Sequence, residues 1–372
     1  MSCHCFGSCV VERRKKDNAH THQDENVSMR GDIKLFSYDE LKSATNGFNA
    51  RSKLGRGGFG IVYKGILEDG TQVAVKALSA ESRQGANEFL TEIQTVKNIR
   101  HPNLVELLGC CIQGNNRILV YEYVENNSLD CALLGPKSKT IKLDWSRRSV
   151  ICIGTARGLA FLHEELEPHI VHRDIKASNI LLDKDFAPKI GDFGLAKLFP
   201  ENITHISTRI AGTNGYLAPE YAMRGRLTKK ADVYSFGVLM LEIISGRSST
   251  KVTWGGTHKL LLEWTWQLYE EGKLLELVDP ELGEYSGEEV LRYIKVALFC
   301  TQAAAGRRPT MTQVVDMLSR HIRLNEKELT PPGLFQESGG LSGTLPSSSK
   351  ASIDSTTQLQ SSVFTITEVT PR

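Results

Sequence analysis

Apolar and polar positions divide the chain into three zones. Between Phe36 and about Leu324, apolar residues recur at the periods of helices and strands, which marks the folded part. Residues 1–33 are polar and charged, with cysteines clustered at the start, and the segment 323–372 is rich in Ser, Thr and Gly. Because neither flank has apolar periodicity, the sequence predicts that both are disordered.

The folded part begins with one short helix and continues with strands and then helices. Ser37 and Glu40 form an S-x-x-E capping box, so residues 34–53 are predicted to hold a helix and a linker; Thr310 and Gln313 form a second box. Four strand-like and four helical segments are Ile61 to Lys64, Val73 to Leu78, Leu107 to Cys111 and Ile118 to Tyr123, then Val150 to His163, Ala231 to Ser245, Glu288 to Cys300 and Thr310 to Ile322. This order predicts an α+β fold, in which a small β-rich N-terminal lobe joins a larger α-helical C-terminal lobe.

Composition and charge exclude several classes of protein. The 372 residues carry a formal net charge of +2, which gives no basis for nucleic-acid binding. No run of about 18 apolar residues suits a membrane helix, and the N-terminus has no secretory signal, so we expect an intracellular protein with reduced cysteines. Five of them are expected to be small core residues: Cys110, Cys111, Cys131, Cys152 and Cys300.

A glycine-rich segment is the first candidate for a binding function. Gly55, Gly57 and Gly60 follow the G-x-G-x-x-G pattern, in which the backbone can approach phosphates closely. A dinucleotide-binding fold needs a helix directly after such a loop. Here the β-like run Ile61 to Lys64 follows, so the loop joins two strands and the dinucleotide interpretation fails.

A lysine ends the next apolar strand, in Val73-Ala74-Val75-Lys76. On its own it would be read as an edge-strand lysine pointing to solvent, but downstream of a glycine-rich loop it can place a positive charge on phosphate oxygens. Glu88 and Glu92 lie one helical turn apart in the following helix. Glu92, backed by Ile93 and Val96, is the better candidate to pair with Lys76, whereas Glu88 is expected on a solvated face.

The strongest motifs come next, and they carry a family resemblance. His172-Arg173-Asp174 is followed by Asn179, by Asp192-Phe193-Gly194 and by Ala218-Pro219-Glu220. In this order the motifs resemble the protein kinase family over residues 54–322, which would be the kinase domain. The resemblance implies a two-lobed kinase fold, ATP with Mg²⁺ (or Mn²⁺ as a substitute), and transfer of the γ-phosphate to protein hydroxyls.

The resemblance also implies roles for individual residues of the catalytic loop. Asp174 would be the catalytic base, and Asn179 and Asp192 would hold the magnesium ions. Lys176 would neutralise charge on the transferred phosphoryl group. Lys176 and Thr213 resemble the serine/threonine branch, although dual specificity stays open.

The adenine site follows from the same resemblance. It would be covered from above by the N-terminal lobe, closed behind by a tyrosine gatekeeper, and bonded by the backbone of the segment after it. With the lysine–glutamate pair, the implied ATP-binding residues are Leu54, Gly55, Gly57, Gly60, Val62, Ala74, Lys76, Glu92, Tyr121, Glu122, Tyr123 and Leu181. Glu220 is expected to pair with Arg308, and Asp232 to brace the catalytic loop.

Regulation is predicted from the arginine before the base. Arg173 and Lys197 would form a cationic pocket for a phosphate on the segment between Asp192 and Glu220. The candidate hydroxyls there are Thr204, Ser207, Thr208 and Thr213, with Ser207 and Thr208 favoured. The alternative is a segment that is ordered without phosphorylation.

Several segments are similar to plant receptor-like kinases, among them Phe36 to Leu41 and Gly212 to Glu220. With no ectodomain or membrane helix, the sequence resembles a receptor-like cytoplasmic kinase, of the cold-responsive type. Its expected partners are protein substrates and upstream receptor kinases. The alternative function is that of a pseudokinase scaffold, which a missing lysine, base or metal ligand would favour. None of these is missing, since Lys76, Asp174, Asn179 and Asp192 are all present.

The N-terminus carries candidates for lipid attachment. Cys3, Cys5 and Cys9 precede the basic run 13–16, a pattern typical of palmitoylation backed by a polybasic patch. Ser2 stands where myristoylation requires glycine. A free tail and a metal site that includes His4 are the alternatives. The sequence thus predicts either the cytoplasmic face of the plasma membrane or the cytoplasm.

Overall fold

A computed structural model describes most of the predicted folded part. It covers residues 33–57, 60–78, 83–135, 141–200, 202–249, 252–254, 257–320, 322–334 and 365–367. Cys3, Cys5, Cys9 and the basic run 13–16 lie outside the described residues.

The smaller lobe is a six-stranded sheet with one long helix. Its strands, in the spatial order β1-β5-β6-β4-β3-β2, are β1 (Lys34–Leu35), β2 (Lys53–Gly57), β3 (Gly60–Ile66), β4 (Gln72–Leu78), β5 (Leu107–Gln113) and β6 (Asn116–Glu122). All neighbours are antiparallel except β1, which runs parallel to β5. Helix α2 (Arg83–Val96) packs against this sheet.

A short helix closes the other face of the sheet. Helix α1 (Tyr38–Ala44) begins at Ser37, whose hydroxyl accepts from the backbone N–H of Glu40 at 3.1 Å. Leu41 is fully buried in a small core with Phe36 and the inward-facing residues of the strands. The predicted helix therefore folds onto the small lobe.

The larger lobe is helical, as the order of elements predicted. Its helices are α3 (Leu129–Leu133), α4 (Trp145–Ala160), α5 (Pro219–Arg224), α6 (Lys229–Ser245), α7 (Leu261–Glu270), α8 (Gly287–Cys300) and α9 (Met311–Ser319). Every residue from Ala231 to Ser245 is buried, so α6 forms the centre of the lobe. Helix α9 begins at a complete capping box of Thr310 and Gln313.

Short strand pairs connect the loops of this lobe. They join β7 (His169–Val171) to β10 (Lys197–Phe199), β8 (Ile180–Leu182) to β9 (Pro188–Ile190), β11 (Ile206–Ser207) to β13 (Arg226–Leu227), β14 (Val252–Trp254) to β15 (Thr257–Lys259), and β12 (Ala211–Thr213) to β16 (Thr365–Thr367). The last pair is parallel, whereas the other four are antiparallel. The architecture is the two-lobed fold expected from the sequence.

The chain continues to pack beyond the predicted domain end at 322. The Tyr234 hydroxyl donates to the carbonyl of Gly333 at 2.5 Å, and the N–H of Gly333 donates to the carbonyl of Thr301. Residues 330–333 thus lie against α6 and the end of α8.

Four of the five expected core cysteines are buried, but Cys131 is exposed, so the expectation is wrong there. Cys131 lies on the short helix α3, whose buried side is formed by Leu129, Ala132 and Leu133. Among the described residues, no helix has the length and apolar character needed to cross a membrane.

Candidate functional site

The glycine-rich loop connects β2 and β3, as its sequence context predicted. Gly57 pairs with Gly60 across the turn, and Gly55 pairs with Val62. A Cβ on Gly60 would lie 2.5 Å from the carbonyl oxygen of Ala77, so a side chain does not fit between β3 and β4. A Cβ on Gly55 would meet open space, which leaves its backbone accessible to a ligand.

Lys76 joins the two lobes through a pair of carboxylates. Its Nζ lies 2.5 Å from Glu92 Oε1 on α2 and 2.7 Å from Asp192 Oδ1 in the larger lobe. The structure thus selects Glu92, the residue that the sequence favoured. The Asp192 side chain is 48% exposed, whereas that of Glu92 is fully buried.

Burial and the lysine charge set the ionisation of this cluster. Burial opposes the charge on Lys76, but Asp192 and Glu92 hold its pKa above the usual value. Burial raises the pKa of Glu92 to about 7. For Asp192 the Lys76 ammonium outweighs desolvation and lowers the pKa to about 2. Asp192 is therefore a charged, accessible carboxylate at neutral pH.

Glu88 is buried, so the expectation of a solvated face is wrong. It is 3% exposed, and burial raises its pKa to about 8. The reason is that α2 packs on Gly194: a Cβ there would lie 3.3 Å from both Glu88 Cγ and Glu92 Oε1. Within the described part of the chain, Glu88 Oε1 has no hydrogen-bond partner.

The predicted adenine-site residues lie around the end of β6. Tyr121 pairs with Ala74 of β4, and its hydroxyl donates to Glu92 Oε2. Tyr121 therefore contacts the glutamate that pairs with Lys76, a bond that the sequence did not predict. The Glu122 carboxylate accepts from the Glu106 N–H and from Lys189 Nζ, both at 2.9 Å, and so holds the segment after β6 in place.

The remaining predicted residues of this region come from both lobes. Lys64 Nζ lies 4.1 Å from the ring centroid of Tyr123. Leu54 is on β2, Val62 pairs with Lys76 in register, and the half-buried Leu181 is on β8 of the other lobe. Ala74 and Leu181, one from each lobe, both pack against the main hydrophobic core.

The catalytic loop is anchored to the central helix by one carboxylate. Asp232 on α6 accepts the backbone N–H groups of His172 at 2.7 Å and Arg173 at 2.8 Å. Its Oδ2 also lies 2.9 Å from His163 Nε2. Although burial raises the pKa of Asp232, the bond from His163 and the neighbouring donors lower it overall. The expectation that Asp232 braces the loop is confirmed.

Asp174, Lys176 and Thr213 form a closed set of hydrogen bonds. The Thr213 hydroxyl donates to Asp174 Oδ1 at 2.6 Å and accepts from Lys176 Nζ at 2.8 Å, while Lys176 Nζ lies 2.9 Å from Asp174 Oδ2. Asn179 Nδ2 donates to the carbonyl and to Oδ2 of Asp174. The carboxylate orientation is therefore fixed from three sides.

Oxygen donors remain for a divalent cation. Both Asn179 contacts use its amide nitrogen, which leaves its oxygen as an acceptor, and Asp192 is half exposed. Among the described residues there is no group of three or more His, Cys, Asp or Glu that could hold a metal alone. Two protein oxygens fit a hard cation that shares its coordination with phosphates and water, as Mg²⁺ does.

Arg173 is held in the left-handed region, with φ of 71°. Its guanidinium donates to the carbonyls of Leu195 and Arg209 at 2.9 Å and to the Tyr221 hydroxyl. Lys197, the other predicted pocket residue, is exposed on β10. Arg173 thus bonds the segment between Asp192 and Glu220 near its start, at Leu195, and again at Arg209.

The four predicted phosphorylation sites differ in accessibility. Thr204 and Ser207 are exposed and Thr208 is half-buried, with its N–H bonded to the carbonyl of Gly225. Thr213 is 1% exposed, and its hydroxyl is engaged by Asp174 and Lys176.

A buried ion pair fixes the end of this segment, as expected. Arg308 donates to both oxygens of Glu220, at 2.7 and 2.8 Å, and to the carbonyl of Gln302. Arg308 is 1% exposed. Such bidentate pairs hold orientation as well as charge.

Two further contacts were missed by sequence reasoning. His163 bonds Asp232, and Tyr221 joins Arg173 to the carbonyl of Arg209. His163 directly follows the apolar run Leu159 to Leu162, and a histidine after such a run is a signal for the first contact. Tyr221 gives none, because its position depends on how the segment folds back.

The chain is similar in sequence to known proteins. A family model described as "Protein tyrosine and serine/threonine kinase" matches residues 48–318. Cold-responsive protein kinase 1 of Arabidopsis thaliana is 54% identical over 320 residues, which cover 85% of this chain and 82% of the relative.

Longer proteins match over the same region. A probable LRR receptor-like serine/threonine-protein kinase of Arabidopsis thaliana is 52% identical over 325 residues, 87% of this chain and 31% of the relative. Another with the same description is 57% identical over 293 residues, 78% of this chain and 29% of the relative. The chain thus spans about a third of the receptor-like relatives it matches.

Proposed function

The chain belongs to the protein kinase family and is a serine/threonine protein kinase, and on this premise we propose that it phosphorylates other proteins with Asp174 as the catalytic base. The observation that carries the proposal is the closed set of bonds around Asp174. Thr213 and Lys176 hold its carboxylate in one orientation, as in-line transfer requires. A scaffold without activity would not need this arrangement.

The chemistry requires an oriented hydroxyl and a neutralised phosphoryl group. Asp174 accepts the hydrogen bond of the acceptor hydroxyl and aims its oxygen at the γ-phosphorus. Lys176 Nζ, 2.9 Å from that carboxylate, offers positive charge to the transferred group. Lys76, held by Glu92, places its ammonium on the phosphates of the nucleotide.

A protein kinase uses ATP and a divalent metal ion. We propose Mg²⁺, with Mn²⁺ as a substitute, held by Asp192 and the amide oxygen of Asn179. When bound, the ion would neutralise charge on the phosphate oxygens. The adenine would lie between Leu54, Val62 and Ala74 above and Leu181 below, with the Glu122–Tyr123 backbone at its edge and Tyr121 behind it.

Phosphorylation of the activation segment, residues 192–220, is proposed as the regulatory step. Ser207 is exposed at the end of strand β11, and Thr208 directly follows it. A phosphate there would recruit Lys197 and compete for the donors of Arg173. Replacing both hydroxyls by alanine should lower activity; full activity in that variant would contradict the regulatory role.

Membrane attachment and upstream receptors are proposed from the N-terminal sequence and the receptor-like relatives. Acylation of Cys3, Cys5 and Cys9 beside a basic run would give two anchoring signals at the cytoplasmic face of the plasma membrane. Labelling with an alkynyl palmitate tests it: wild type should be labelled and the triple Cys→Ser variant should not. An unlabelled wild type would leave the cytoplasm as the location.

Acceptor specificity provides the direct test of the activity. Purified chain should be given Mg²⁺, ATP and three peptides that differ only in Ser, Thr or Tyr at the acceptor position. Phosphate is expected on Ser and Thr, with none after chelation of the metal. Lys76→Met is the negative control. Equal transfer to Tyr would indicate dual specificity, and no transfer to any peptide would contradict the proposal.

A further inference from the structure

A segment near the C-terminus pairs with the strand that contacts the catalytic base. Strand β16 (Thr365–Thr367) lies parallel to β12 (Ala211–Thr213). The register places Thr365 opposite Ala211, Ile366 opposite Gly212 and Thr367 opposite Thr213. A three-residue piece of the tail therefore occupies this strand edge.

Strand β12 lies directly on the catalytic loop. Gly212 has a φ of 135°, and a Cβ there would lie 2.8 Å from the carbonyl oxygen of Arg173. The hydroxyl of Thr213, the next residue, is 2.6 Å from Asp174 Oδ1. A chain that pairs with β12 is thus brought beside the base by backbone register, as in peptide recognition by strand addition.

The residues of β16 suit an acceptor. The local sequence is Phe364-Thr365-Ile366-Thr367-Glu368, so two hydroxyl residues alternate within three positions. Their positions are not equivalent, because only Thr367 is in register with Thr213. The 30 residues from 335 to 364 connect this strand to the larger lobe, and an extended chain of that length reaches up to roughly 100 Å, so the connection does not restrict access.

We propose that Thr367 is an internal phosphoacceptor, which this kinase phosphorylates on its own C-terminal segment while β16 is paired with β12. The inference rests on the proposed function of Asp174. In the step, the Thr367 hydroxyl oxygen forms a bond to the γ-phosphorus of ATP, and the bond from that phosphorus to the β,γ-bridging oxygen breaks. ADP leaves with the bond electrons, and the hydroxyl proton passes to Asp174.

The same pairing makes the tail a competitor of other substrates. While β16 occupies the edge of β12, that backbone cannot pair with a second peptide. Phosphorylation adds about two negative charges beside the Asp174 carboxylate, which should weaken the pairing and free the edge. Phosphorylated Thr367 thus marks a kinase that is open to substrates.

The test begins with dephosphorylated full-length protein, incubated with Mg²⁺ and ATP, and measures phosphate at each tail residue by mass spectrometry. Because the acceptor is on the same chain, the rate constant at Thr367 should not change on about tenfold dilution. Thr367→Val should remove that phosphate, whereas Thr365→Val, the matched control two residues away, should leave it. Asp174→Asn should show none.

Phosphorylation of a generic protein substrate is measured in the same samples, so the two proposals can fail separately. Activity on that substrate without phosphate at Thr367, or with phosphate at Thr365 instead, would overturn the inference and leave the function standing. A rate at Thr367 proportional to protein concentration would also overturn it, since transfer would then be between molecules. No activity on either acceptor would overturn both proposals.

Discussion

At the scale of single residues, the Thr213 hydroxyl has the most consequential position. It donates to Asp174 at 2.6 Å and accepts from Lys176 at 2.8 Å, and the residue is 1% exposed. Its contribution is to orient both charged groups, since without it Asp174 would be held by Lys176 and Asn179 alone. Valine has nearly the same shape and lacks the hydroxyl, so it isolates this contribution.

We expect Thr213→Val to lower kcat by about 10- to 100-fold, because small misplacement of the base is costly in transfer reactions. The KM for ATP should change little, since Lys76 and Asp192 are untouched. Steady-state kinetics on a peptide substrate measure both constants. Thr71→Val, at an exposed hydroxyl between β3 and β4, is the matched control and should behave like wild type. A variant that keeps wild-type kcat would show that Thr213 does not position the base.

The two glutamates of α2 show what could be predicted at this scale. The two glutamates lie one helical turn apart, and the apolar neighbours Ile93 and Val96 indicated that Glu92 faces inward. Glu88 was predicted to face solvent because helical periodicity identifies the apolar face of α2 but does not show which distant residues pack against the rest of the helix. Gly194 comes from a distant part of the chain, and its close contact with α2 buries Glu88 as well.

At the scale of elements, α6 connects the catalytic loop to the activation segment. Asp232 near its start holds the catalytic loop. Glu242, about three turns later, accepts from the Tyr216 hydroxyl at 2.5 Å and the Ser249 N–H at 2.6 Å. Glu242 is fully buried, and this burial raises its pKa to about 7. One helix thus supports both functional segments with carboxylates.

The raised pKa of Glu242 predicts a dependence of stability on pH. The folded chain binds this proton more tightly than the unfolded chain, so the stabilisation is present below the ordinary pKa of 4.5 and is lost as pH rises through about 7. Glu242→Gln keeps the neutral form at every pH. Relative to wild type it should gain about 2–3 kcal/mol in free energy of unfolding between about pH 5 and 8.

Denaturant unfolding at several pH values measures this difference. Glu284→Gln, at an exposed position, is the control, and its difference from wild type should stay flat. A flat difference for Glu242→Gln too would contradict the assigned ionisation.

Element types were predictable, whereas the short pairings were not. The predicted helix Ala231 to Ser245 is observed as Lys229–Ser245, and the predicted strand Ile61 to Lys64 is the middle of Gly60–Ile66. Periodicity and caps fix such long elements locally. The pairs β11–β13 and β12–β16 join residues distant in sequence over two or three positions, too few for a pattern to show.

At the scale of the whole molecule, the buried pair of Arg308 and Glu220 connects the C-terminal helices to the end of the activation segment. The guanidinium also donates to the carbonyls of Gln302, Ala303 and Lys230. Because these carbonyls belong to separate parts of the lobe, the loss of one side chain leaves several acceptors unpaired.

Arg308→Met should therefore lower the free energy of unfolding by about 3 kcal/mol, as expected when one partner of a buried pair is removed. Arg320→Met breaks an ion pair with Asp316 that is 71% exposed on the arginine side, and should cost less than about 1 kcal/mol. Urea unfolding of both variants and wild type gives the comparison. Equal losses would show that the buried pair adds nothing beyond a surface pair.

The order of the kinase motifs could be read from the sequence because each motif is short and local. The contacts between motifs could not be read from it, since the contact of Thr213 with Asp174 spans 39 positions and that of Lys76 with Asp192 spans 116. The family resemblance implied the contact of Thr213 with Asp174, whereas the contact of Lys76 with Asp192 comes from the structure alone.

The most direct test separates nucleotide binding from phosphoryl transfer in Asp174→Asn. We expect this variant to bind Mg²⁺ and a non-hydrolysable ATP analogue with the wild-type Kd, because Lys76, Asn179 and Asp192 remain. We expect kcat on a serine peptide to fall by about 10³-fold. Transfer at the wild-type rate would contradict Asp174 as the base. Lost nucleotide binding would show instead that Asp174 maintains the site and would leave its part in the transfer without support.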